Sequence, residues 1–223
     1  GNKYLQTQTG CDIFAPGIER DFTEHPILEP SFLYGGFPPE CLRHKFLLAQ
    51  ESEADTLTQE ALPEGVRMIP LPGHFFDMVG YESRDGVVYL ADCLVSKETL
   101  EKYQITFVYD VAAYLSTLEM VRGMQAKVFV PAHTEAMEDI APLAQLNIDK
   151  VHEIAQKILE ICKEPIIFEH ILQQLFLDYN LRMSFEQYVL VGSSVRSYLA
   201  WLKDSGRMDV VFENAQMLWK AIV

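Results

Sequence analysis

Cysteine is scarce in this chain: four in 223 residues, at positions 11, 41, 93 and 162, with no CxxC pair. That spacing argues against a disulfide-stapled secreted scaffold and suits a reducing cytosol, so a cytoplasmic location is expected. Positive charge is thin as well. There are 18 Lys and Arg against 32 Asp and Glu, which leaves a formal charge of -14. Such a balance argues against a general nucleic-acid binder, because phosphate contacts need clustered cations. No stretch reaches the roughly 18 apolar residues of a membrane span, and no secretory h-region opens the chain. Neither membrane nor nucleic acid is therefore an expected partner. Internal repeats and low-complexity tracts are missing too. The chain opens on Gly1 and not on Met, and a preceding segment is expected.

Hydrophobic residues make up 49% of the chain, enough for one sizeable core, or for one domain with a small appendage. A helix is expected over residues 2–8 with Gly10 as its stop, and a short strand over 11–15. Residues 16–50 hold five prolines and the Gly35-Gly36 pair, which predicts loops. Phe32, Leu33, Tyr34 and Phe37 make that stretch a packed lid, not a linker. A strand is expected over 57–61. Strands follow over 66–70, 78–82 and 87–91, the last two joined by a hairpin at Asp85-Gly86. A helix over 110–124 and a strand over 127–130 complete a layered α/β (α+β) pattern.

From Asn147 the pattern turns helical. Ile148, Val151, Ile154, Ile158 and Ile161 form one stripe, and residues 168–179 carry another. Ser184 with Gln187 forms a capping box for a helix running to about Asp204 and burying Phe185, Val189, Val195, Leu199 and Leu202. Residues 208–212 and 217–222 can pair as a hairpin. Helix, helix and hairpin give a winged-helix-like outline, so two domains are expected, 1–145 and 146–223. Residues 164–223 hold five Lys or Arg against seven Asp or Glu, a balance unsuited to binding DNA.

Among six histidines, only His74 and His133 directly follow a strand-then-Pro-x-His turn. Asp92 ends a third strand of the same kind. Strand ends fix a side chain's position while the following loop exposes it, and imidazole and carboxylate groups suit Zn²⁺, Mn²⁺ or Fe²⁺. Spacing alone leaves a structural role and a metal site both open.

The segments IPLPGH (69–74), VVYLADC (87–93) and VFVPAH (128–133) resemble three successive motifs of the metallo-β-lactamase superfamily, in that family's order. The resemblance covers residues 1–145. It implies an αββα sandwich, here N-terminally incomplete, followed by the winged-helix-like C-terminal domain, which would shape the cleft or form a homodimer. It also implies a hydrolase acting on a small-molecule ester or thioester through a metal-activated hydroxide. His74 would bind one metal, Asp92 would bridge two, and His133 would bind the second. Zinc is the expected metal, with Fe or Mn as alternatives.

The departures are as informative. The family's HxHxDH motif is absent, and no HxH occurs in the chain. Two ligands per ion fall short of the usual three, so metal binding is expected to be weak or absent and the chain inactive alone. No catalytic residue is assigned. The alternative reading is a non-catalytic interaction or regulatory protein on the same fold. Ala132 stands where the family usually has Gly. Phe75 and Phe76 would give the cleft an apolar wall, with Tyr34 as a further substrate contact. Asp77 would either orient His74 from behind or cap its loop.

Overall fold

The structure, a computed structural model, describes residues 1–222. Its chain order is α1 (Asn2–Thr9), β1 (Phe14–Ala15), α2 (Glu19–Glu24), α3 (Leu28–Tyr34), β2 (Asp55–Thr56), β3 (Arg67–Pro70), β4 (Val79–Glu82) and β5 (Val87–Ala91). Then come α4 (Lys97–Tyr103), α5 (Val111–Arg122), β6 (Val128–Pro131), α6 (Ala141–Ile161), α7 (Phe168–Asp178), α8 (Phe185–Asp204), β7 (Met208–Glu213) and β8 (Gln216–Ala221).

The main sheet has the order β3-β4-β5-β6, antiparallel at its first two contacts and parallel between β5 and β6. Gly86 at φ +79 closes the β4–β5 hairpin, as the Asp-Gly dipeptide predicts. The buried face carries Ile69, Val88, Leu90 and Phe129. It joins Leu118 and Val121 of α5 and Ile148, Val151 and Ile158 of α6 in one core that continues through α7 and α8 to Ala221. The other face carries the cross-strand row Met68, Tyr81, Tyr89 and Val130, all at least partly exposed. Among the described residues two further sheets occur, the parallel β1–β2 pair of two residues each and the antiparallel β7–β8 hairpin.

Several expectations need correction. Residues 16–50 contain two helices in place of the expected loops. Pro30 sits in the first turn of α3, where its missing N–H has no intrahelical partner to lose, so proline does not break the helix there. Gly35 at φ +80 then ends α3 in the left-handed cap that glycine favours. The strand expected at 57–61 is a 3₁₀ turn at Gln59–Ala61. Pairing occurs just before it, where Asp55 and Leu57 donate to the carbonyls of Ile13 and Ala15. Helix α4 is an addition to the expected elements: only Leu100 in it is buried, so it lacks an apolar stripe, and Ser96 caps it by accepting from Thr99 N–H. The Ser184 cap forms as expected, accepting from Gln187 N–H. Phe185, however, is 40% exposed, stacked edge-on against Tyr34 at the surface.

Candidate functional site

His74 is placed by a turn clamped from two sides. Gly73 adopts φ +116, and a Cβ there would lie 2.2 Å from the backbone nitrogen of Tyr114. Glycine therefore lets the start of α5 lie directly against the turn. Tyr109 and Asp110 both donate N–H groups to the Gly73 carbonyl at 3.0 Å, and Thr117 Oγ1 donates to the Pro72 carbonyl at 2.7 Å. Beside His74 stands Phe107, ring to ring at 5.6 Å. The Phe107 segment is held in turn by Val108 N–H donating to the buried Ser194 hydroxyl of α8 at 3.1 Å. Burial lowers the pKa of His74 below the ordinary imidazole value, and the Asp92 charge opposes that shift. The imidazole is consequently neutral at neutral pH.

Asp92 follows a strained residue. Ala91 sits at φ +47, an uncommon conformation for a side chain with a Cβ, at a shift in the β5–β6 register. The Ala91 carbonyl accepts from Ala132 N–H at 3.0 Å, which ties the Asp92 turn to the His133 loop. That loop is pinned again where Phe129 and Met137 exchange backbone hydrogen bonds. His133 Nε2 lies 2.9 Å from Asp92 Oδ1. The distance is that of a hydrogen bond but the N–H is not aimed at the oxygen, and Oδ1 is buried without a donor. Proximity without alignment is the better description of the pair. The neighbouring Cys93 is fully buried, and burial pushes its thiol up to about 12, which leaves it un-ionised and inert.

His74 and Asp92 line one cavity of about 460 Å³ with Phe75, Phe107 and Leu190. Phe75 lines this cavity beside His74. Phe76 belongs to the layer behind, its ring 4.0 Å from Tyr109 and 5.4 Å from Phe32. Tyr34 is 45% exposed, packs on Phe185, and is not among the residues lining this cavity. The Asp77 carboxylate accepts the Ile18 N–H at 2.9 Å, so it fastens the segment before α2 to the turn that carries His74.

Two glutamates that the sequence does not single out, Glu19 and Glu29, also line the cavity. Burial raises Glu19 to about 7, helped by the Asp77 charge, and burial alone raises Glu29 to about 7. Glu19 Oε1 is buried without a partner. The one available signal is local: Glu29 shares a helical face with Phe32 and Leu33, three and four residues on.

Among the described residues, no three His, Cys, Asp or Glu side chains converge as a metal-holding group. Asp92 Oδ1 and His133 Nε2 are close enough to meet one cation, but a catalytic zinc site usually takes three protein ligands. The donors brought together here do not suffice for a resident metal ion.

No known family profile matches the chain, and no curated protein matches it either. Solved structures do match. A metallo-beta-lactamase family protein from Thermus thermophilus superposes with TM-score 0.68 over 95% of this chain and 72% of that one, at 17% identity. A beta-lactamase domain protein from Burkholderia ambifaria gives TM-score 0.65 over 95% of this chain and 65% of that one, at 15% identity. The chain therefore has the metallo-β-lactamase fold. It spans less than two thirds of the second protein.

Proposed function

We propose that this chain is the scaffold and substrate cleft of a metallo-β-lactamase-fold hydrolase acting on a small ester or thioester. One observation carries the reading: a buried Asp92 oxygen with no hydrogen-bond donor, 2.9 Å from an imidazole nitrogen that is not aimed at it. Buried polar atoms are nearly always satisfied, so an orphaned carboxylate oxygen at a strand-end cleft points to a partner that these residues alone do not supply. Metal-activated hydroxide is the chemistry a complete site of this fold would supply. Its ligand set exceeds the two donors that meet here, so the 223 residues by themselves are inactive. What they contribute is binding and orientation: a neutral His74 held rigidly by the Gly73 turn, an Asp92 fixed by the Ala91 bend, and an apolar wall.

The test is a Zn²⁺ titration with parallel assay of aryl ester and thioester turnover. The chain alone is expected to bind zinc weakly, in the range of about 10 µM or above, with no turnover. A longer chain carrying HxHxDH ahead of residue 1 is expected to bind two ions tightly and turn over. Two tightly held metals in the 223-residue chain would overturn the incompleteness. A second reading, a non-catalytic regulatory or interaction protein, draws on the two-donor set itself and is selected if the longer chain also stays metal-free and inactive.

A further inference from the structure

The cavity beside His74, at about 460 Å³, falls within the size range of small-molecule sites. Leu33, Phe75, Met78, Phe107 and Leu190 give it apolar walls. Its acidic side chains are Glu19, Glu29 and Asp92, and none of its lining residues is Lys or Arg. Lys3 and Lys45 line a neighbouring cavity, which shares Glu19, Glu29 and Phe75 with this one. His74 is its one imidazole, and burial there favours the neutral form.

In the metal-free chain an anion entering such a cleft loses hydration and meets carboxyl groups in a setting of reduced dielectric, with no Lys or Arg in the lining to offset either effect. An uncharged ligand loses less hydration than an anion, and burial of its apolar part favours entry. An ammonium group gains from the carboxylates. We infer that the cleft of the metal-free chain takes a small uncharged or cationic ligand with a hydrophobic acyl or aryl group, and disfavours an anionic ligand of the same size. The inference rests on the proposed function for the location of the site and concerns the ligand charge that the cleft accepts before any metal ion is added. It does not require that the chain turn over.

Binding can be measured on the metal-free chain in EDTA, with 3-phenylpropanamide, 3-phenylpropylamine and 3-phenylpropanoate as probes that share ring and chain length. At about pH 7.5 the amide and the amine are expected to bind, and the carboxylate at least roughly tenfold more weakly. Phe107→Ala is expected to weaken the amide and the amine alike, whereas Glu19→Gln with Glu29→Gln brings the carboxylate to within about threefold of the amide. Should the double variant fail to fold, Glu29→Gln alone serves: discrimination against the carboxylate is expected to shrink by at least about twofold. Equal or tighter binding of the carboxylate, binding of none of the three probes, or discrimination unchanged by the glutamate substitution overturns the inference. A charge ranking that holds while the longer, metal-loaded chain shows no ester turnover sinks the hydrolase reading and leaves this one standing.

Discussion

Gly73 and Ala91 sit immediately before His74 and Asp92, and both hold backbone conformations with positive φ. At Gly73 the conformation has a steric cause, since the α5 backbone occupies the space of any Cβ. Gly73→Ala should therefore destabilise the fold by about 3 kcal/mol, from strain at φ +116 together with displacement of α5. Urea denaturation checks this, and a loss within about 0.5 kcal/mol, typical of a neutral surface change, would show that the turn can move freely. Ala91 is different. Its strained φ lies at the β5–β6 irregularity and directs Asp92 out of the strand. Sequence inspection identifies the strand ends but not these conformations, because alanine carries no mark of a left-handed backbone.

Among the elements, two buried polar side chains from helices distant in sequence hold the cleft. Asn147 of α6 accepts from Val95 N–H and donates to the carbonyls of Val95 and Leu143, so it fixes the segment after Asp92. Ser194 of α8 accepts from Val108 N–H and donates to the Leu190 carbonyl, which fixes the segment of Phe107. Asn147→Leu strands both backbone groups of Val95 in the core and is expected to cost about 2–4 kcal/mol. Ser194→Ala strands one N–H and should cost about 1–3 kcal/mol. Thermal unfolding of both variants measures the difference, and a larger loss for Ser194→Ala than for Asn147→Leu would contradict the accounting by hydrogen bonds. These anchors explain why the C-terminal helices matter for the cleft, a role that apolar stripes alone do not reveal.

For the molecule in its entirety, the buried glutamates give stability a pH dependence. Glu19 and Glu29 are both raised from 4.5 to about 7, so each favours the protonated form when folded. Their contribution is fully present below about pH 4.5 and is lost as pH rises through about 7. Both groups retain some solvent contact, so the loss is on the order of 1 kcal/mol each after screening, well below the unscreened conversion of the shift. Denaturant midpoints between about pH 5 and 8 should fall in the unaltered chain and fall less in Glu19→Gln and Glu29→Gln. An unchanged slope in those variants would place the titration elsewhere. The overall charge of -14 acts in the same direction, as self-repulsion grows with ionisation.

Local chemistry was enough to dictate the succession of main-sheet strands, the long helices and the three strand-end side chains, because periodicity, turn geometry and capping depend on near neighbours. The Asp-Gly hairpin and the Ser184 cap form where their residues dictate. Long-range packing was needed to bring Glu19, Glu29, Phe107 and Leu190 to face His74, to turn Tyr34 away from it, and to let two metal donors meet where three are needed. Burial, dielectric and donor convergence depend on which distant segments pack together. A glutamate looks the same in sequence whether water or a phenyl ring lies beside it.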